Sequence, residues 1–101
     1  MTSEPIVVTL SRDIEDLVPV FLAQRKSDQT TLKDALPARD FAAIRWVGHA
    51  MAGAGASYGF DYLSIVGECL VKAARADDIA TLDRLCLEFD DYMARLVVKY
   101  V

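Results

Sequence analysis

GHAMAGAGASYGF, residues 48–60, is the stretch on which the reading of this chain turns. It continues a good helical run, DFAAIRWV (40–47), yet it sets Gly48, Gly53, Gly55 and Gly59 around the only histidine of the sequence. Glycine inside a helix costs roughly 1 kcal/mol relative to alanine. A bare-backboned surface beside His49 therefore asks for a physical reason. Asp40 stands where it can cap a long helix beginning at Phe41, and the glycines between 53 and 59 are expected to end or loosen that helix.

On a wheel of about 100° per residue, Ile44, Val47, Met51 and Ala54 fall within roughly 40° of the side opposite His49, which makes them the core face. Ala42, Arg45, Gly53 and Ala56 fall within about 40° of His49, with Ala52 and Trp46 at about 60° on either flank. The histidine is thus expected outside the core. An ordinary solvated face carries Lys, Glu and Gln, whereas Ala42, Ala52, Gly53 and Ala56 shave this one flat, so that another molecule can approach closely. Trp46 has two readings: it tucks against a neighbouring helix, or it adds apolar area to a docking patch.

Upstream, Ser11 followed by Asp13, Glu15 and Asp16 reads as a helix start. Ile14, Leu17, Val18, Phe21, Leu22, Leu32 and Leu36 form its inward stripe. Pro19 implies either a kink or a short helix followed by a long one starting there. PARD (37–40) breaks the pattern. Downstream, a third helix is expected from about Phe60 to Ala76, with Leu63, Val66, Leu70, Ala73 and Ala74 inward. ADD (76–78) makes a turn and offers a cap. A fourth helix is expected from about Ile79 to Tyr100, since Leu82, Leu85, Cys86, Phe89, Met93, Leu96 and Tyr100 repeat at three and four. IVVTL (6–10) is apolar and β-branched but too isolated to make a sheet, and residues 1–5 are expected to be loose. Long helices joined by short connections pack as antiparallel neighbours. The expectation is an all-α antiparallel four-helix bundle over residues 12–101, preceded by a lead-in at 1–11 that has room for a short extra helix or extended segment.

At 101 residues the chain supports one domain and one core. Its 15 acidic residues outnumber 11 scattered basic ones, so the footprint of a phosphate backbone is missing and nucleic acid is not an expected partner. No apolar run approaches the roughly 20 residues of a membrane span, and MTSEPIVV has neither a basic start nor an apolar signal core. A cytoplasmic protein without a membrane partner is the expectation. Cys69 and Cys86 lack metal-ligand spacing and read as small buried or half-buried thiols. No second acid, base or ligand cluster accompanies His49 and no phosphate-binding glycine loop precedes a lysine, so neither a cofactor, a metal nor an enzyme with its own turnover is expected.

His49, Met51, Gly53, Gly59 and Leu63 fit the pattern H-x-[LM]-K-G-x-x-x-x-x-G-x-x-x-L. In these residues the chain resembles the histidine-containing phosphotransfer (HPt) domains of multistep two-component phosphorelays, over roughly residues 12–100. The resemblance implies a phosphoacceptor at His49, which takes a phosphoryl group from the aspartyl phosphate of a response-regulator receiver domain and passes it to another receiver. A hybrid histidine kinase is a further implied partner. Attack on phosphorus calls for the neutral imidazole, the form that has a free lone pair. The docking surface would comprise Ala42, Arg45, Trp46, Ala52, Gly53 and Ala56. The family's usual lysine is Ala52 here, which is expected to tune the site rather than erase it; the candidates for a phosphate-stabilising cation are Arg45, and Lys72 if that flank of the next helix faces the site. Two other readings stay open: a receiver- or kinase-docking adaptor of the same fold without phosphotransfer, and a structural bundle in which His49 is incidental.

Overall fold

The computed structural model describes residues 4–101. Four helices make up most of it: α1 (Val18–Ala35), α2 (Phe41–Tyr58), α3 (Asp61–Arg75) and α4 (Ile79–Arg95). Each helix packs on the next in sequence, α2 on α3 most extensively, and α4 closes the ring against α1. Inside the ring lies one core, in which Ile44, Met51, Leu63, Leu70, Leu82 and Phe89 are almost wholly buried. Every inward residue expected of α3 is buried.

The helix boundaries follow from local chemistry. Ser11 does cap a helix start, accepting a hydrogen bond from the Asp13 amide at 3.2 Å, but only a single 3-10 turn (Arg12–Ile14) results. The long helix begins afresh at Val18 with Pro19 in its first turn, the second of the two outcomes open for that proline. Leu17, expected inward, lies in the break between them and is 50% exposed. Asp40 and Asp78 cap α2 and α4 by accepting from the amides of Ala43 (3.1 Å) and Thr81 (3.2 Å). All three connections between helices use one device. A residue with left-handed backbone, Arg39 (φ 55°), Gly59 (φ 83°) or Asp77 (φ 51°), reverses the chain. The next amide then bonds back five residues, Asp40 to Ala35, Phe60 to Gly55 and Asp78 to Ala73, as in a Schellman helix terminus.

The structure corrects the expectation that the chain contains no sheet. β1 (Ile6–Leu10) and β2 (Leu96–Tyr100) pair in parallel, from Ile6 opposite Leu96 to Leu10 opposite Tyr100. The amide of Val101 continues the ladder to the Leu10 carbonyl at 3.0 Å, and that of Arg12 to the Val101 carbonyl at 3.0 Å. α4 consequently ends at Arg95, five residues short of the expected Tyr100. Leu96, Val98 and Tyr100 pack toward the core together with Ile6, Val8 and Leu10, while Val7 and Val97 face outward. Arg95 ties this end down further by donating to the Glu4 carbonyl at 3.1 Å, so residue 4 is not loose; the same expectation for residues 1–3 lies outside the described residues.

Two charged residues were hidden in the apolar stripe of α1. Arg25 (3% exposed) and Asp28 (5%) occupy the inward positions between Phe21 and Leu32 and bond to each other at 2.7 Å. Burial pushes the Asp28 carboxyl above the usual carboxylate range, with Arg25 pulling against it. The guanidinium lies over the Phe21 ring at 4.9 Å, and Phe21 in turn stacks on Phe60, so the pair is walled by aromatic carbon as well as paired. Cys69 and Cys86 are free, half-buried thiols; burial, with Asp90 and Asp83 nearby, pushes that of Cys86 up to about 11.

Candidate functional site

α2 carries two glycine-bearing surfaces with different neighbours. Gly48, Ala52 and Gly55 lie along the seam with α3. A Cβ on Gly48 would sit 2.7 Å from the Gly67 carbonyl oxygen and 2.9 Å from Cγ2 of Val71; one on Gly55 would sit 2.7 Å from the Ser64 amide nitrogen. From the other side, a Cβ on Gly67 would sit 2.5 Å from the Gly48 carbonyl oxygen and 2.6 Å from the Ala52 nitrogen. The two backbones are in direct contact, and the Ser64 hydroxyl fastens them by donating to the Ala52 carbonyl at 2.9 Å. These contacts descend along one helix as they ascend the other, from Gly55 beside Ser64 to Gly48 beside Val71.

His49 stands one residue round from this seam and is exposed. Among the described residues, no hydrogen bond or ion pair holds its imidazole. Ala42, Gly53 and Ala56 are exposed around it as the wheel predicts, and a Cβ on Gly53 would meet nothing within 4 Å. Trp46 is 78% exposed, which decides between its two readings in favour of surface apolar area. The opposite face is the core: Ile44, Val47 and Met51 are buried and Ala54 partly so.

Three expected features sit differently. Ala52 is half-buried in the α2–α3 seam rather than lying open beside His49. Gly55 lies within α2, where it admits α3, and only Gly59 ends the helix. Arg45 is half-buried and Lys72 exposed, neither with an ion-pair partner among the described residues. The pairing of Gly48 with Gly67 and Val71 brings the α3 turn that carries both Glu68 and Lys72 level with His49. Glu68, an exposed acid, escaped the sequence reading because its relevance depends on the register of one helix against another. No cluster of three or more metal-ligating side chains exists among the described residues, and no described helix is long and apolar enough to cross a membrane.

The surface thus offers one unencumbered nucleophile in mid-helix, flanked by small residues and one tryptophan. Its backbone is braced from behind by helix-to-helix contact. No family model, curated protein or solved structure matches the chain.

Proposed function

We propose that the protein is a histidine phosphocarrier, an HPt-type module with its four helices in an antiparallel bundle and His49 as phosphoacceptor. The observation that carries this reading is the open face of α2, where a solvent-exposed imidazole without a partner stands among Ala42, Gly53 and Ala56. In the transfer step, an imidazole nitrogen of His49 attacks the phosphorus of a receiver's aspartyl phosphate. The N–P bond forms, the P–O bond to the aspartyl carboxyl breaks, and the aspartate departs as a carboxylate. The reverse step loads the next receiver. The receiver domain supplies the acidic pocket and metal ion for the chemistry, so the carrier contributes a positioned nucleophile and room for docking. Trp46 extends the docking surface with apolar area. Arg45 and Lys72 are the cations available to a phosphate on His49; Glu68 opposes them. The protein acts in the cytoplasm, where receivers and the cytoplasmic portion of a hybrid kinase reside.

A second reading, docking without transfer, is favoured by one observation: the position where the family places its lysine is Ala52, held in the helix seam. Incubation with receivers phosphorylated beforehand separates the two. A carrier acquires acid-labile phosphate, seen as a mass increase on the intact chain, and His49→Gln abolishes it while leaving thermal unfolding unchanged, because the side chain is exposed and makes no hydrogen bond or ion pair among the described residues. An adaptor binds the receivers and stays unlabelled. Label that persists on His49→Gln sinks the site assignment, and absence of both binding and label from every receiver tried leaves an inert bundle.

A further inference from the structure

A groove of about 520 Å³ lies away from His49, between the C-terminal half of α1 and α4. Leu32 and Phe89 form its floor, and Leu36, Pro37 and Leu87 line its walls. Leu87 is 71% exposed at the edge of this groove. The two rims carry opposite charge. Lys33 and Arg39 stand on the α1 side, Asp83 and Asp90 on the α4 side. Gln29 reaches Asp90 across the groove at 2.8 Å, whereas Lys33, Arg39 and Asp83 have no ion-pair partner among the described residues.

We propose that this groove is the interface of a homodimer, filled by the α4 edge of a second copy. A groove with one basic and one acidic wall is its own complement under a two-fold axis, because the rotation sets α1 of each copy against α4 of the other. Each copy's Lys33 and Arg39 then face the other's Asp83 and Asp90, and each Leu87 enters the opposite groove. The groove-lining stretches of the two helices, about eight residues each, give a contact about 12 Å long. Two helices' width makes roughly 250 Å² per copy, well below a standard interface, so the dimer is a weak and transient one. The α1–α4 edge lies across the ring from the α2–α3 seam. Dimerisation leaves His49 open on both copies and does not depend on the role proposed for it.

Sedimentation velocity of the full chain from roughly 5 to 500 µM covers the affinity range for an interface this small. A monomer–dimer equilibrium is expected within that range. Leu87→Asp, an exposed substitution with no fold to break, should weaken it at least tenfold. Lys33→Glu with Arg39→Glu should weaken it similarly, as should Asp83→Lys with Asp90→Lys, each first checked for native helical content. Mixing those two double variants pairs a wholly acidic groove with a wholly basic one and should restore dimer that neither forms alone. A wild-type monomer throughout overturns the proposal and leaves the groove to a different partner. So does a dimer indifferent to Leu87→Asp, or a mixture of folded charge variants that stays monomeric.

Discussion

Gly48 and Gly53 sit five residues apart on one helix and have opposite surroundings. A methyl group at Gly48 would press into the Gly67 carbonyl and Val71, whereas one at Gly53 would meet open solvent. The same residue type therefore serves two physical ends. At the seam, Gly48, Gly55 and Gly67 let two backbones touch, and the packing and the Ser64 hydrogen bond gained there offset the roughly 1 kcal/mol that each glycine costs a helix. On the open face no packing partner compensates Gly53, and only the docking proposed above would make use of its smallness. A run of small residues is by itself no evidence of a docking surface; only the part facing away from the neighbouring helix can be one.

The seam should break first and hardest. Gly67→Ala places a methyl 2.5 Å from the Gly48 carbonyl oxygen and 2.6 Å from the Ala52 nitrogen, both backbone atoms that move only if α2 and α3 separate. Overpacking of this kind costs about 3 kcal/mol, which for a domain this size lowers Tm by roughly 12–20 °C. Gly48→Ala should behave alike. Urea unfolding read by circular dichroism measures both. Wild-type stability in either variant would mean that the seam can open without penalty, and the contrast between the two glycine surfaces would lose its basis.

A smaller effect is expected where the surfaces meet. Ala52→Lys restores the cation usual in the resembled family, but it does so at a half-buried position. The aliphatic stem has to leave along the seam before its ammonium reaches water, so a loss of about 1 kcal/mol is expected despite lysine's good helix propensity. If His49 carries phosphate, an ammonium at about 4 Å adds roughly 1 kcal/mol of attraction in water and shifts transfer toward phospho-His49 about fivefold. Added salt should shrink that gain. Unchanged stability would show that Ala52 is not seated in the seam, and unchanged transfer that its cation does not reach the phosphate.

Much of α2 was legible because its signals are local. Asp40 caps, Gly59 ends, and the 100° wheel separates Ile44, Val47 and Met51 from His49. The wheel orients residues relative to one another and says nothing of which neighbour lies on which flank, so Ala52 read as open surface and Gly48 was grouped with Gly53 as bare surface beside His49. Arg25 and Asp28 escaped for a related reason: a search for apolar periodicity skips charged residues even when they fill inward positions. At the carboxyl end the pattern itself was ambiguous. Met93, Leu96 and Tyr100 fit helical spacing, yet Leu96, Val98 and Tyr100 fit a strand equally well. The deciding partner, Ile6–Leu10, lies some ninety residues away, and neither strand stands without the other.

The mildest test is also the most specific to the open face. Gly53→Ala adds a methyl where nothing within 4 Å receives it, so no contact is lost or strained. What changes is the backbone: alanine loses less conformational freedom on folding than glycine, and the substitution should raise stability by about 0.5–1 kcal/mol, the reverse of Gly67→Ala. Gly53→Gln should be nearly as well tolerated by the helix. Its longer side chain, however, stands one turn beyond His49 and in the path of any macromolecule approaching the imidazole. Transfer from a phosphorylated receiver should therefore slow in Gly53→Gln while Gly53→Ala stays close to wild type, a contrast that stability cannot produce because both variants fold. Equal rates in all three proteins would mean that Gly53 clears no path, and the open face would then owe its small residues to nothing that docks over His49.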